Sequence, residues 1–290
     1  MRTLKPLPGP AWLLLLASAA ICPAEEWTPL FNGRDLDGWS GWLSRPDPSI
    51  DLPGAARDEH GQYRQPLGTG RDPLAVFTVT TIDGRPAIRI SGQVMGGLQT
   101  TREYGNYHLR LQFRWGERKW PPRLDRPRDS GLLYHVHSDF GVSSHTWPRS
   151  VEFQIQEHDV GDLYALAMQI TVPARRLDPV KRLFRYDPRG QPTVFVEQLP
   201  IGNRCMHLED REKPPGEWNT LDLVCLGDES IHVVNGTVVM RLQAAQRLDG
   251  AAPAPLTSGH IVLQSEGAEV YYRDVVIRPI TAVPVEFAAP

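Results

Sequence analysis

Along most of the chain, apolar and polar positions alternate in short runs, and Gly, Pro, Asp or Asn closes each run. Successive side chains of a strand point to opposite faces, so each run predicts a half-buried β-strand. Clear cases are residues 87–90, 107–113, 132–137, 151–156, 220–225, 230–234, 237–240, 260–264 and 271–277. Asn235-Gly236 joins two of them. Both residues tolerate positive φ, so residues 230–240 read as a hairpin with a two-residue turn. Helical spacing is confined to a turn or two near 241–247. Residues 120–127 hold three prolines and read as a loop, because proline cannot sit in a central strand. The stretch 173–215, rich in Pro, Arg and Asp, reads as an excursion from the sandwich with one strand at 193–196. Nothing repeats and no linker divides the chain. The expectation is an all-β, two-sheet antiparallel β-sandwich, one domain over residues 25–290.

The N-terminus changes where this sandwich is expected to work. Arg2 and Lys5 precede an apolar stretch from Ala11 to Ile21, followed by small residues and Glu25-Glu26. That is the pattern of a signal peptide, residues 1–24, too short for a membrane span of about 20 residues. Cleavage after Ala24 fits, whereas lipid attachment at Cys22 would want a small residue before it and finds Ile21. A periplasmic or secreted protein is expected. Losing Arg2 and Lys5 and no acid takes the net charge from -3 to -5, so no basic surplus argues for nucleic acid. Of three cysteines, Cys205 and Cys225 would remain as an even pair. In an oxidising compartment a Cys205–Cys225 disulfide is the default, and two buried free thiols are the alternative.

Candidate chemistry concentrates in residues 151–157. Alternation puts Val151, Phe153 and Ile155 on one face and Glu152, Gln154 and Gln156 on the other. A carboxylate flanked by two amides offers the paired donors and acceptors that sugar hydroxyls need, although an ordinary solvated face would look the same. By the same parity, Gly131, Leu133, His135 and His137 share a face, which would bring His135 within reach of Glu152 if the two strands are neighbours. His135, His137, His145 and His158 with Asp139 and Asp159 suit a divalent cation in chemistry, but their spacing matches no metal signature. There is no Gly-x-Ser-x-Gly elbow, phosphate-cradling loop or dinucleotide fingerprint.

Several segments in order resemble the 3-keto-disaccharide hydrolase domain family. They are Leu30-Phe31-Asn32-Gly33-Arg34-Asp35-Leu36-Asp37-Gly38-Trp39, Glu103-Tyr104-Gly105-Asn106-Tyr107, Asp129-Ser130-Gly131-Leu132, Val151-Glu152-Phe153-Gln154-Ile155, Gly161-Asp162-Leu163-Tyr164, Gly216-Glu217-Trp218-Asn219-Thr220 and Gly259-His260-Ile261-Val262-Leu263-Gln264. The resemblance implies a concanavalin A-like jelly roll with an oligosaccharide or glycoside substrate on one sheet. Asp129 stands where Asn is expected, and residues 40–85 and 165–215 are longer than the usual core.

Two-carboxylate glucanases of similar fold carry acids four residues apart on one strand. Here position 152 is Glu but 156 is Gln. A 3-keto sugar removes the need for the pair, because its ketone acidifies the C2 proton and one base can start the reaction. Glu152 or His135 is the expected base, with Tyr164 as proton donor. Gln154, Gln156, His137, Gln264 and Glu266 are the expected sugar binders. Trp39 would be either a stacking platform or, more in keeping with its setting, a core residue. The rivals are a non-catalytic carbohydrate-binding module and a glycosidase acting on unoxidised sugars.

Overall fold

The computed structural model describes residues 26–178 and 180–289; the expected signal peptide, residues 1–24, and its cleavage point lie outside these. Two antiparallel sheets face each other. The larger runs Leu183–Tyr186, Met168–Asp178, Thr237–Arg247, Glu229–Val234, Asn219–Leu226, Tyr107–Lys119, Ala268–Pro279, Arg85–Ile90, Phe77–Ile82. The smaller runs Arg204–Cys205, Leu163–Leu166, Ser150–Gln156, Asp129–Val136, Ser258–Ser265, Gly96–Thr100, Trp39–Leu43, Gly68–Thr69. This is the concanavalin A-like jelly roll that the alternation and the resemblance together predict.

The core lies between the sheets. Leu109, Leu111 and Phe113 of one sheet and Leu132, Val151, Phe153 and Ile155 of the other belong to one buried cluster. Burying each such side chain is worth about 1.5–3 kcal/mol, which fixes register, since a slip of one residue would expose the whole set. The hairpin forms as expected, with Asn235 at φ 48 and Gly236 at φ 80.

Three expectations change. Residues 241–247 continue the strand Thr237–Arg247 instead of forming a helical turn. Their Ala, Leu, Gln and Arg favour helix locally, but pairing with both neighbouring strands overrides that preference. Much of the stretch 173–215, expected as an excursion with one strand, extends the larger sheet: Met168–Asp178 pairs with Thr237–Arg247, and Leu183–Tyr186 and Gln191–Phe195 pair with Met168–Asp178 in turn. Finally, Cys205 and Cys225 are both free and buried. Cys205 sits on the edge strand of the smaller sheet and Cys225 within the larger one, each in its own antiparallel pairing, so the expected bridge is replaced by two core thiols.

Candidate active site

The register of the smaller sheet brings the predicted residues together in rows. Glu152 lies opposite Tyr164 on one side and Leu133 on the other, and Tyr164 lies opposite Arg204. In the next row Gln154 lies opposite Gly131, and in the third Gln156 lies opposite Asp129. Glu152, Gln154, Gln156, Tyr164 and Glu266 line one cleft of about 460 Å³, with Arg123, Trp147 and Arg204 at its walls. Gly131 makes the floor passable: a Cβ there would fall 2.3 Å from Gln264 Oε1 and 2.5 Å from Glu152 Oε1. Only a residue without a side chain lets these two groups meet over the strand.

Of the two readings of this face the buried one holds at Glu152, which is 4% exposed, and at Gln154, while Gln156 is half-buried. Burial raises the Glu152 pKa well above the ordinary carboxyl range, and the negative charge of Glu266 raises it further, while the Gln264 amide and Arg123 oppose the rise. Burial likewise pushes Glu266 up to about 7 against the opposing pull of Arg123. Arg123 donates from Nη2 to Glu266 Oε1 at 2.9 Å and from Nη1 to Gln156 Oε1 at 3.0 Å, and also contacts Asp129. Two carboxyls and one guanidinium therefore share the cleft with a third acid, Asp129, at its edge.

Tyr164 is pushed up to about 12 by burial, with Arg204 opposing, so its phenol stays protonated and can donate. The Arg204 guanidinium sits 5.6 Å from the centre of its ring. Arg204 is held in turn by the fully buried Asp162 at 2.7 and 2.8 Å and by Asp159 at 3.0 Å. Asp162 also accepts from the backbone N–H of His207 at 2.7 Å and pairs with its ring Nδ1 at 2.6 Å.

Several buried polar atoms here have no partner among the described residues: Asp129 Oδ1, Arg123 Nε and Gln264 Oε1. Such atoms cost stability unless something pairs with them. A substrate bearing many hydroxyls would do so.

His135 is not in the cleft. It adopts φ 53, and the pairing with Ser258–Ser265 shifts register just there, between His260 and Val262. This bulge breaks the parity on which the expected His135–Glu152 approach rested. The ring turns inward, 5.2 Å from Tyr134 and 6.2 Å from Tyr107, and burial lowers its pKa to about 4. His137 reaches a separate cleft beside Asp139, Arg247 and His260. The six metal candidates do not converge: His145 is exposed, His158 lies 3.7 Å from Asp210, and Asp159 is tied to Arg204 and Gln156. Among the described residues no three His, Cys, Asp or Glu side chains gather as a metal site. Trp39 is a core residue whose Nε1 donates to the Leu30 carbonyl at 2.7 Å.

Sequence reasoning missed Arg123, Arg204 and Asp162 as parts of the site. Arg123 comes from the proline-rich loop, which was readable as a loop but not as one folded over the sheet. Gly267, at φ 78, admits it, since a Cβ there would meet Arg123 Cγ at 2.7 Å. Asp162 stood inside the Gly161–Tyr164 motif and carried the one available signal.

The model of the 3-keto-alpha-glucoside-1,2-lyase-like domain family matches residues 26–278. No curated protein sequence matches the chain. Similar solved structures include a protein assigned as a glycosyl hydrolase from Parabacteroides distasonis, 19% identical with TM-score 0.47, covering 88% of this chain and 94% of that one. A second from the same organism is 18% identical with TM-score 0.44, covering 88% and 100%. A carbohydrate-binding module from Bacillus subtilis is 9% identical with TM-score 0.40, covering 70% and 91%. None of these structural likenesses bears on the chemistry of the cleft.

Proposed function

Because the chain belongs to the 3-keto-alpha-glucoside-1,2-lyase-like domain family, we propose that the Glu152 cleft cleaves the glycosidic bond of 3-keto-glycosides. The observation that carries this is a buried carboxyl with raised pKa on the cleft floor, without a direct ion-pair partner among the described residues, beside a neutral phenol. A base is most effective when its pKa lies near the working pH, and burial moves a carboxyl in that direction. Glu152, once ionised, takes the C2 proton, and the electron pair of that bond forms the C2=C3 enolate. Tyr164 is the neutral donor for the oxygen that gains charge. Collapse of the enolate forms the C1=C2 double bond and expels the C1 oxygen, which leaves as an alcohol after taking a proton. Addition of water across C1=C2 then gives the free 3-keto sugar, so the sum is hydrolysis.

The Gln264 amide, Gln154 and Gln156 serve the ring hydroxyls, and Arg123 keeps the acidic end of the cleft from becoming wholly neutral. Export is part of the same reading and rests on residues 1–24.

One observation favours a second reading. The negative charge of Glu266 adds to the raised proton affinity of Glu152, and burial raises Glu266 itself, as a close acid pair of a two-carboxylate glycosidase would show. Such an enzyme needs its carboxyls about 5–5.5 Å apart and would act on unoxidised sugars. The test is incubation with a 3-keto-glucoside and with its unoxidised parent, following release of the aglycone. The proposal expects release from the oxidised sugar alone; equal release from both supports the two-carboxylate reading.

A further inference from the structure

Beyond the acidic cleft the same face crosses a buried apolar row, Leu133 and Val262, and becomes polar again at Gln99. Glu152 lies opposite Leu133, Leu133 opposite Val262, Val262 opposite Gln99, and Gln99 opposite Ser40. Neighbouring strands are about 4.8 Å apart, so Gln99 stands roughly 14 Å from Glu152, further than one sugar ring reaches. A second cleft of about 430 Å³ opens there, walled by Trp42 and Phe140 and edged by Ser40, Thr69, Gln99 and Asp139.

Trp42 and Phe140 stack, with centroids 4.7 Å apart and planes 8° from parallel. Gly97, the cross-strand partner of Trp42, seats them: a Cβ there would lie 3.1 Å from the Phe140 ring and 2.4 Å from Val262 Cγ1. An adjoining cleft of about 590 Å³ shares Gln99, Ser138 and Asp139 with this one and adds His137.

Two buried atoms of these clefts, Gln99 Oε1 and His137 Nε2, have no hydrogen-bond partner among the described residues. His137 Nδ1 donates to the His135 carbonyl at 3.0 Å, and burial lowers the ring's pKa, so Nε2 is left as a bare acceptor on a neutral ring. Both atoms require donors. Hydroxyl groups are donors without charge, and the C–H face of a pyranose packs on a flat aromatic wall.

We propose that the Trp42–Phe140 cleft is a second carbohydrate subsite, holding a further sugar ring of the substrate whose scissile bond lies at Glu152. The preference this creates is for oligosaccharides over disaccharides. The turnover arm of the test rests on the proposed activity, whereas the binding arm does not.

The binding arm titrates wild type, Trp42→Ala and Phe140→Ala with unoxidised α-1,4- and β-1,4-linked gluco-oligosaccharides of two to four units, by calorimetry. The turnover arm compares 3-keto substrates of two and four units. Wild type should bind and cleave the longer chain about tenfold better, a difference of about 1.4 kcal/mol. Both variants should lose that preference, and melting curves show whether each is folded. Phe140 belongs to a loop, so its variant carries the test if Trp42→Ala fails to fold. Folded variants that keep the wild-type length preference and affinity overturn the subsite. So does a wild type that binds and cleaves both lengths alike. If wild type cleaves neither substrate, the proposed activity falls, and the titration still decides the subsite.

Discussion

On the outward face of the larger sheet, charged side chains neutralise one another. Arg85 pairs with Asp274 at 2.5 Å, Arg110 with Asp222 at 2.6 Å, Arg89 with Glu269 at 2.8 Å and Arg114 with Asp83 at 2.8 Å. The exposed pairs, Arg85–Asp274 and Arg114–Asp83, contribute about 0–1 kcal/mol, whereas Asp222 and Glu269 are buried beneath their arginines. The outward face of the smaller sheet is arranged differently. There Glu152 and Gln154 are buried, Gln264 Oε1 has no partner among the described residues, and one guanidinium, Arg123, is shared among Glu266, Asp129 and Gln156. The same fold thus carries one face whose charges are largely paired one to one and one whose buried acids share a single guanidinium.

The largest effect should come from the residue that most separates the two faces. Glu152→Gln keeps length and amide oxygen and removes only basicity, so kcat should fall about 10²–10⁴-fold with KM little changed. Its stability should diverge from wild type in a defined direction. Because the folded pKa of Glu152 is raised, the native state holds its proton more tightly than the unfolded chain. Wild type therefore loses stability as pH rises from the ordinary carboxyl range through the folded value; Glu152→Gln escapes this part of the loss and keeps only that due to the raised Glu266. Melting curves across pH should show the variant gaining on wild type towards alkaline pH; parallel curves would place Glu152 in an ordinary solvated setting.

Arg123→Met should move the pH profile next. Arg123 lowers both Glu152 and Glu266, so without it the acid limb of kcat/KM should move to higher pH. Rate on the acid side should then fall about tenfold for every pH unit the limb travels. An unmoved limb would leave Arg123 a structural role only. Gly131→Ala tests the close approach on the floor. Its new Cβ must displace Gln264 and Glu152, and overpacking of this kind costs about 1–3 kcal/mol of stability. Activity should fall further than the melting temperature implies. Asp129→Asn should have the smallest effect, moving the acid limb downward by less than about one pH unit, because it removes a rival anion from Arg123 without changing shape.

What the sequence disclosed follows from where its patterns are periodic. The alternation of Val151, Phe153 and Ile155 with Glu152, Gln154 and Gln156 was legible because core burial enforces it, and it placed Glu152, Gln154 and Gln156 in the cleft. His135 was misplaced because a bulge shifts parity without leaving a mark in composition. Arg123 and Arg204 act across the sheet from a loop and an edge strand, and no local spacing encodes such approaches. The run 241–247 shows the converse, a helix-favouring composition held extended by strand pairing on both sides. The cysteines were misjudged since an even count says nothing about which sheet each joins.

The central claim is that ionised Glu152 removes the C2 proton of a 3-keto-glycoside, and the most direct test is turnover in deuterated water. The 3-keto product is isolated at early times, beside an uncatalysed control, and C2 is examined by mass spectrometry and NMR for wild type and Glu152→Gln. Wild type should place one deuterium at C2 in step with aglycone release, and Glu152→Gln should lose label and release together. Aglycone release by wild type with ordinary hydrogen retained at C2 would contradict the claim.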